Sequence, residues 1–169
     1  MSQNHFQRKG AALLAALLIA GCSAKAPEPK AEHTSSGYVI GLGEIMGLNQ
    51  MRHAKLWFAG QAGNWPLAAY EIDELREGFA DAERYHPHHK NVPQPLTQMI
   101  PEYVEVPLTD LSKAVEHKDR AEFTAAFDEL TEGCNGCHQA ADFGFNVITR
   151  PTSPPYSNQS FKPAAPDGN

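Results

Sequence analysis

Cysteine is scarce in this chain, with three in 169 residues, Cys22, Cys134 and Cys137, and no second closely spaced pair exists to complete a structural zinc site. Methionine is as rare: Met1, Met46, Met51 and Met99 are all four, so none follows position 99. Basic residues are outnumbered, 14 to 20, giving a formal charge of −6 that argues against nucleic acid as a partner. Alternating apolar and polar positions of the strand type occur nowhere, which excludes a β fold. No set of acids and bases marks a hydrolase or a transferase, so an enzyme is disfavoured. The apolar run Ala11 to Ala20 is too short to span a bilayer as a stable helix.

That run sits behind Arg8 and Lys9 with no acid before it, the arrangement of a secretory signal. Its end, Leu18-Ile19-Ala20-Gly21-Cys22, resembles the lipobox of bacterial lipoproteins. The resemblance implies cleavage after residue 21 and acylation of Cys22, which would anchor the chain to membrane lipid. Ser23, rather than an aspartate, points by analogy with enteric bacteria to the outer membrane. An ordinary secretory signal with an incidental cysteine is the plainer alternative. Loss of residues 1–21 removes two basic residues and no acid, so the charge moves from −6 to −8. Residues 22–37, with Pro27, Pro29 and mixed charges but no apolar period, read as a flexible tether.

Residues 38–149 carry helical periodicity throughout, and an all-α domain of four helices is expected. The first should run from about Gly41 to Ala62, with Met46, Gln50, His53 and Trp57 on one stripe and Ile45, Leu48, Arg52 and Leu56 beside it. Asn64 is a good N-cap for the second, which buries Ile72, Leu75, Phe79 and Ala82 and ends at Pro87. The third begins near Thr97 or Glu102, with Pro107 kinking it or marking its start. The fourth opens with a capping-box-like Asp119 and Glu122 and carries the stripe Phe123, Phe127, Leu130, Cys134. Residues 150–169 hold five prolines, Pro151, Pro154, Pro155, Pro163 and Pro166, and form an extended tail whose Tyr156 and Phe161 pack on the domain. His86, His88 and His89 could hold zinc or copper, though a proline-flanked loop is more often a solvated turn.

Cys134-Asn135-Gly136-Cys137-His138 carries the chemistry. Two thiols three positions apart followed by histidine are the pattern of covalent c-type haem attachment, with the thiols on the haem vinyls and His138 on iron. A thioredoxin-like dithiol would need a βαβ context and a helix N-terminus, and neither is present. Attachment of c-type haem also implies a compartment outside the cytoplasm, in agreement with the export signal. With Cys22 lipidated and the other two on haem, no thiol is left for a disulfide. On the core face of the last helix, the motif would insert haem into the bundle, with Gly133 and Gly136 leaving room for the porphyrin.

A motif near the C-terminus, on the fourth of four helices, resembles the class II c-type cytochromes, the cytochrome c-prime group and its methionine-ligated relatives. The resemblance covers about Tyr38 to Phe145, with Asn135 and Gly136 standing where the family commonly has a basic residue. It implies one haem c in a four-helix bundle, His138 as proximal ligand, and a distal residue early in helix one. Met46 falls near that place when the Gly63-Asn64-Trp65-Pro66 turn is matched to the family's. His53, two turns on and on the same face, is the alternative and would give a lower-potential bis-histidine centre. Met51, about 140° off this stripe, is disfavoured. Trp57, Trp65 and Phe58 read as core and haem-wall aromatics. The implied function is electron carriage between redox partner proteins from a periplasmic, lipid-anchored position. Binding of NO or CO, with weak peroxidase chemistry, at a five-coordinate iron, or service as a subunit of a larger membrane redox complex, are the alternatives. Pairing of two copies stays open.

Overall fold

A computed structural model of the chain describes residues 37–165, Asn91 excepted. The signal, Cys22, almost all of the tether and residues 166–169 lie outside the described residues. Four helices occupy the described part, with no strand among them: α1 (Leu42–Gln61), α2 (Trp65–Tyr85), α3 (Leu96–His117) and α4 (Arg120–Ala140). No helix among the described residues is long and apolar enough to cross a membrane.

Local chemistry explains each boundary. The Gly41 N–H donates to Glu44 Oε2 at 2.8 Å and starts α1. Gly63, at φ +70°, turns the chain in a conformation that suits a residue without Cβ, and Asn64 Oδ1 then accepts from Leu67 N to open α2. Asp119 caps α4 by accepting from the N–H groups of Ala121 and Glu122 at 2.7 and 3.0 Å. The box with Glu122 does not close, because that carboxylate binds His117 Nδ1 at 3.1 Å instead.

Consecutive helices pack side by side and α1 also meets α4, the ring of neighbours found in a four-helix bundle. Leu56, Leu111, Phe123, Phe127 and Leu130 are fully excluded from solvent. The stripe expected on α1 is displaced: Ile45, Asn49, His53, Leu56 and Gly60 are buried, whereas Leu48 is exposed and Arg52 reaches out to Glu74 at 2.9 Å.

Pro107 neither starts α3 nor stops it, since the helix runs from Leu96 through both Pro101 and Pro107. A proline at 107 offers no N–H to the Tyr103 carbonyl four residues back. That carbonyl lies against α4 at Gly133, where an added Cβ would stand 2.2 Å from its oxygen. Gly136 meets the ring of the same Tyr103, at 2.9 Å from a built Cβ. Gly133 and Gly136 therefore serve the close approach of α3 to α4 rather than making room for a porphyrin.

The contact between α1 and α4 is the slightest in the ring. A non-helical segment after α4 bridges it. Arg150 pairs with Asp128 on α4 and holds its guanidinium 4.9 Å from the ring centre of Trp57 on α1. Tyr156 OH donates to Met51 Sδ at 2.8 Å, Phe161 is buried with its ring 5.6 Å from that of Phe58, and Asn64 Nδ2 donates to the Lys162 carbonyl at 3.3 Å.

Candidate functional site

Antiparallel packing brings the start of α1, the end of α2, the start of α3 and the end of α4 to one end of the molecule. A cavity of about 360 Å³ opens there. Met46 and His53 line it from α1, Leu75 and Phe79 from α2, Leu96, Ile100 and Val104 from α3, and Leu130, Cys134, Cys137 and His138 from α4. The chain leaving α4 adds Phe143, Asn146 and Ile148. Met46, His53, His89, Cys134, Cys137 and His138 thus reach one space, whereas His86 and His88 do not.

The two thiols sit on the inner face of α4, and neither forms a disulfide. Burial pushes the Cys134 thiol up to about 12, with the neighbouring Cys137 adding to the effect. Cys137 is likewise raised, by burial and then by the Glu102 carboxylate. A redox-active dithiol needs the opposite, a lowered pKa at a helix N-terminus; here the pair stands in the last two turns of a helix.

His138 is oriented by its own backbone neighbourhood. Its Nδ1 lies 2.6 Å from the Asn146 carbonyl oxygen, and since a carbonyl only accepts, Nδ1 carries the proton. Nε2 is then the basic nitrogen, the tautomer in which a histidine ligates a metal.

His53 is buried at 4% exposure and is not a surface histidine. Its Nε2 is 2.9 Å from Thr131 Oγ1, and the Thr131 hydroxyl donates to the Phe127 carbonyl at 2.9 Å. The hydroxyl has one proton, so His53 Nε2–H must be the donor in their bond. Burial lowers the His53 pKa to about 4, and the ring lies neutral with its centre 4.3 Å from that of Phe127.

Met46 is half-buried on the cavity wall, with no hydrogen-bond partner among the described residues. Met51 points away from the cavity, to Tyr156. Trp57, Trp65 and Phe58 belong to the core and do not line the cavity: Trp57 packs on Phe127 at 4.9 Å and Trp65 edge-on to Phe123 at 6.1 Å.

The histidine-rich loop does not gather all three histidines, although the rings of His86 and His89 stand edge-on at 6.2 Å. His86 Nε2 donates to the Ile40 carbonyl at 2.8 Å, His88 is exposed, and His89 lines the cavity. Among the described residues no group of three or more His, Cys, Asp or Glu is placed to hold a metal ion. Sequence reasoning missed His89 as a cavity residue, and missed the wall formed by Phe143, Asn146 and Ile148. The available signal for that wall was the apolar cluster Phe143, Phe145, Val147 and Ile148 just beyond the last helix. Neither a protein-family model, nor a curated protein, nor a solved structure matches this chain.

Proposed function

We propose that the chain is a monohaem c-type cytochrome that carries electrons at the outer face of a bacterial membrane. One observation carries the reading: Cys134, Cys137 and the Nδ1-protonated His138 face a single, largely apolar cavity that Met46 lines from α1. The cavity volume lies in the range of enclosed ligand sites, its thiols are free, and its walls exclude competing charges, so the residues present fit a covalently held haem. Cys134 and Cys137 would hold the group and His138 Nε2 would take the iron. Bound haem supplies a one-electron couple.

The chain's own part is to bind, orient and tune. The apolar walls lower the local dielectric and keep water from the site. Met46 is the favoured distal ligand, because it stands on the cavity wall while the His53 ring is pinned by its Nε2–H bond to Thr131 and by Phe127, which leaves His53 only Nδ1 as a basic nitrogen. A thioether ligand raises the potential relative to a bis-histidine centre. Acylated Cys22 would keep the domain near membrane redox partners, and the formal charge of −8 after signal removal favours partners with basic patches and salt-dependent association. The resemblance to class II c-type cytochromes adds to this reading.

The test is an absorption spectrum of protein exported in a bacterium competent for c-type haem attachment, in both redox states, with and without CO. A ferric methionine-to-iron charge-transfer band, absent in Met46→Ala and retained in His53→Ala, is the expected result. Rapid CO binding by the ferrous wild-type protein would replace electron carriage with gas binding at an open iron.

A further inference from the structure

Asn135, the residue after the first thiol, does something that its place in the motif does not require. Its Nδ2 donates to the Ile148 carbonyl at 2.9 Å and its Oδ1 accepts from the Ile148 N–H at 2.8 Å. One side-chain amide therefore grips both backbone groups of a residue thirteen positions on, and the two bonds together leave it little freedom to rotate. Ile148 is buried beneath the grip. Two residues earlier stands Asn146, whose carbonyl takes the His138 Nδ1 proton at 2.6 Å. The intervening loop is closed by Phe143 N–H to the His138 carbonyl at 2.7 Å and Asn146 N–H to the Phe143 carbonyl at 2.9 Å.

We propose that Asn135 is a positioning residue for the proximal ligand: by clamping Ile148 it fixes the Asn146 carbonyl against His138 Nδ1, holding Nε2 toward the iron and raising its basicity. The inference rests on the haem reading above. A donor–acceptor distance of 2.6 Å is short for an N–H···O bond, so the carbonyl draws strongly on the Nδ1 proton. A more basic imidazole stabilises the ferric state, which lowers the potential. Asn146 itself is exposed, and without the clamp water would compete for its carbonyl.

The experiment compares haem-loaded wild-type, Asn135→Ala and Asn135→Asp proteins by redox titration and by NMR exchange of the His138 Nδ1 proton. Asn135→Ala should speed that exchange at least tenfold and raise the midpoint potential by about a tenfold change in the ferrous-to-ferric ratio, about 59 mV for one electron. Asn135→Asp keeps the acceptor for Ile148 N–H and loses the donor, and it should fall between. It also supplies both readouts where the alanine variant fails to mature. Gln139→Ala, on an exposed position of α4, should move neither. Haem-loaded Asn135 variants with wild-type potential and proton exchange overturn the inference alone; a wild-type protein without covalent haem overturns it together with the reading on which it rests.

Discussion

His53 shows how burial decides a residue's chemistry. Its folded pKa of about 4 lies below the ordinary value of 6.5, so between these pH values the unfolded chain binds a proton that the folded chain refuses. Stability supported by neutral His53 is therefore complete above about pH 6.5 and is lost as pH falls toward 4, by about 3 kcal/mol. Denaturant titrations across that window should show this loss in the wild type and a much shallower one in His53→Gln, which keeps a donor for Thr131 but does not titrate. An equal slope in both would place the acid sensitivity elsewhere. The sequence showed His53 on a face shared with Met46 but not its burial, because the bond to Thr131 joins residues 78 positions apart. Asn135 was illegible for the same reason: its partner lies beyond the helix, in a segment without period.

Helices were the most legible level, since their caps and stripes are local. Asn64, Asp119 and the α2 stripe stand where spacing placed them, whereas the α1 stripe shifted: Arg52 pairs with Glu74 on α2, a tertiary matter that spacing does not show. Pro107 as a start for α3 misled because proline punctuation assumes that the freed carbonyl needs an intrahelical partner. Here the Tyr103 carbonyl turns to Gly133. Gly133→Ala weighs two effects directly: alanine gains about 1 kcal/mol of helix propensity, while a methyl 2.2 Å from a backbone oxygen forces α3 and α4 apart. Overpacking of this kind costs about 1–3 kcal/mol, more where backbone must move, so the substitution should destabilise by about 2 kcal/mol net. Thermal unfolding checks it, and a stabilised variant would show that the interface yields. Cys134, the next residue along α4, should be displaced with it.

At the scale of the molecule, the segment after α4 compensates for the slight contact between the first and last helices. Its exposed ion pair from Arg150 to Asp128 is of the class that contributes little, whereas the buried ring of Phe161 on Phe58 removes apolar area from water. Phe161→Ala should therefore release the segment to limited proteolysis beyond about residue 150 and cost about 2–3 kcal/mol, while Asp128→Ala should do neither to a similar degree. Little of this was readable from a proline-rich tail beyond the two aromatics, Tyr156 and Phe161, that seat it. The cavity at the other end of α1 was legible only as a convergence, from Met46 at one end of the domain and Cys134, Cys137 and His138 at the other. What occupies it is settled most directly by intact-mass measurement of the exported chain after acidic organic extraction. The expected result is a mass increased by one haem, reduced or lost when Cys134 or Cys137 is replaced by alanine and lost when both are; an unmodified polypeptide mass, or haem that washes away, would contradict it.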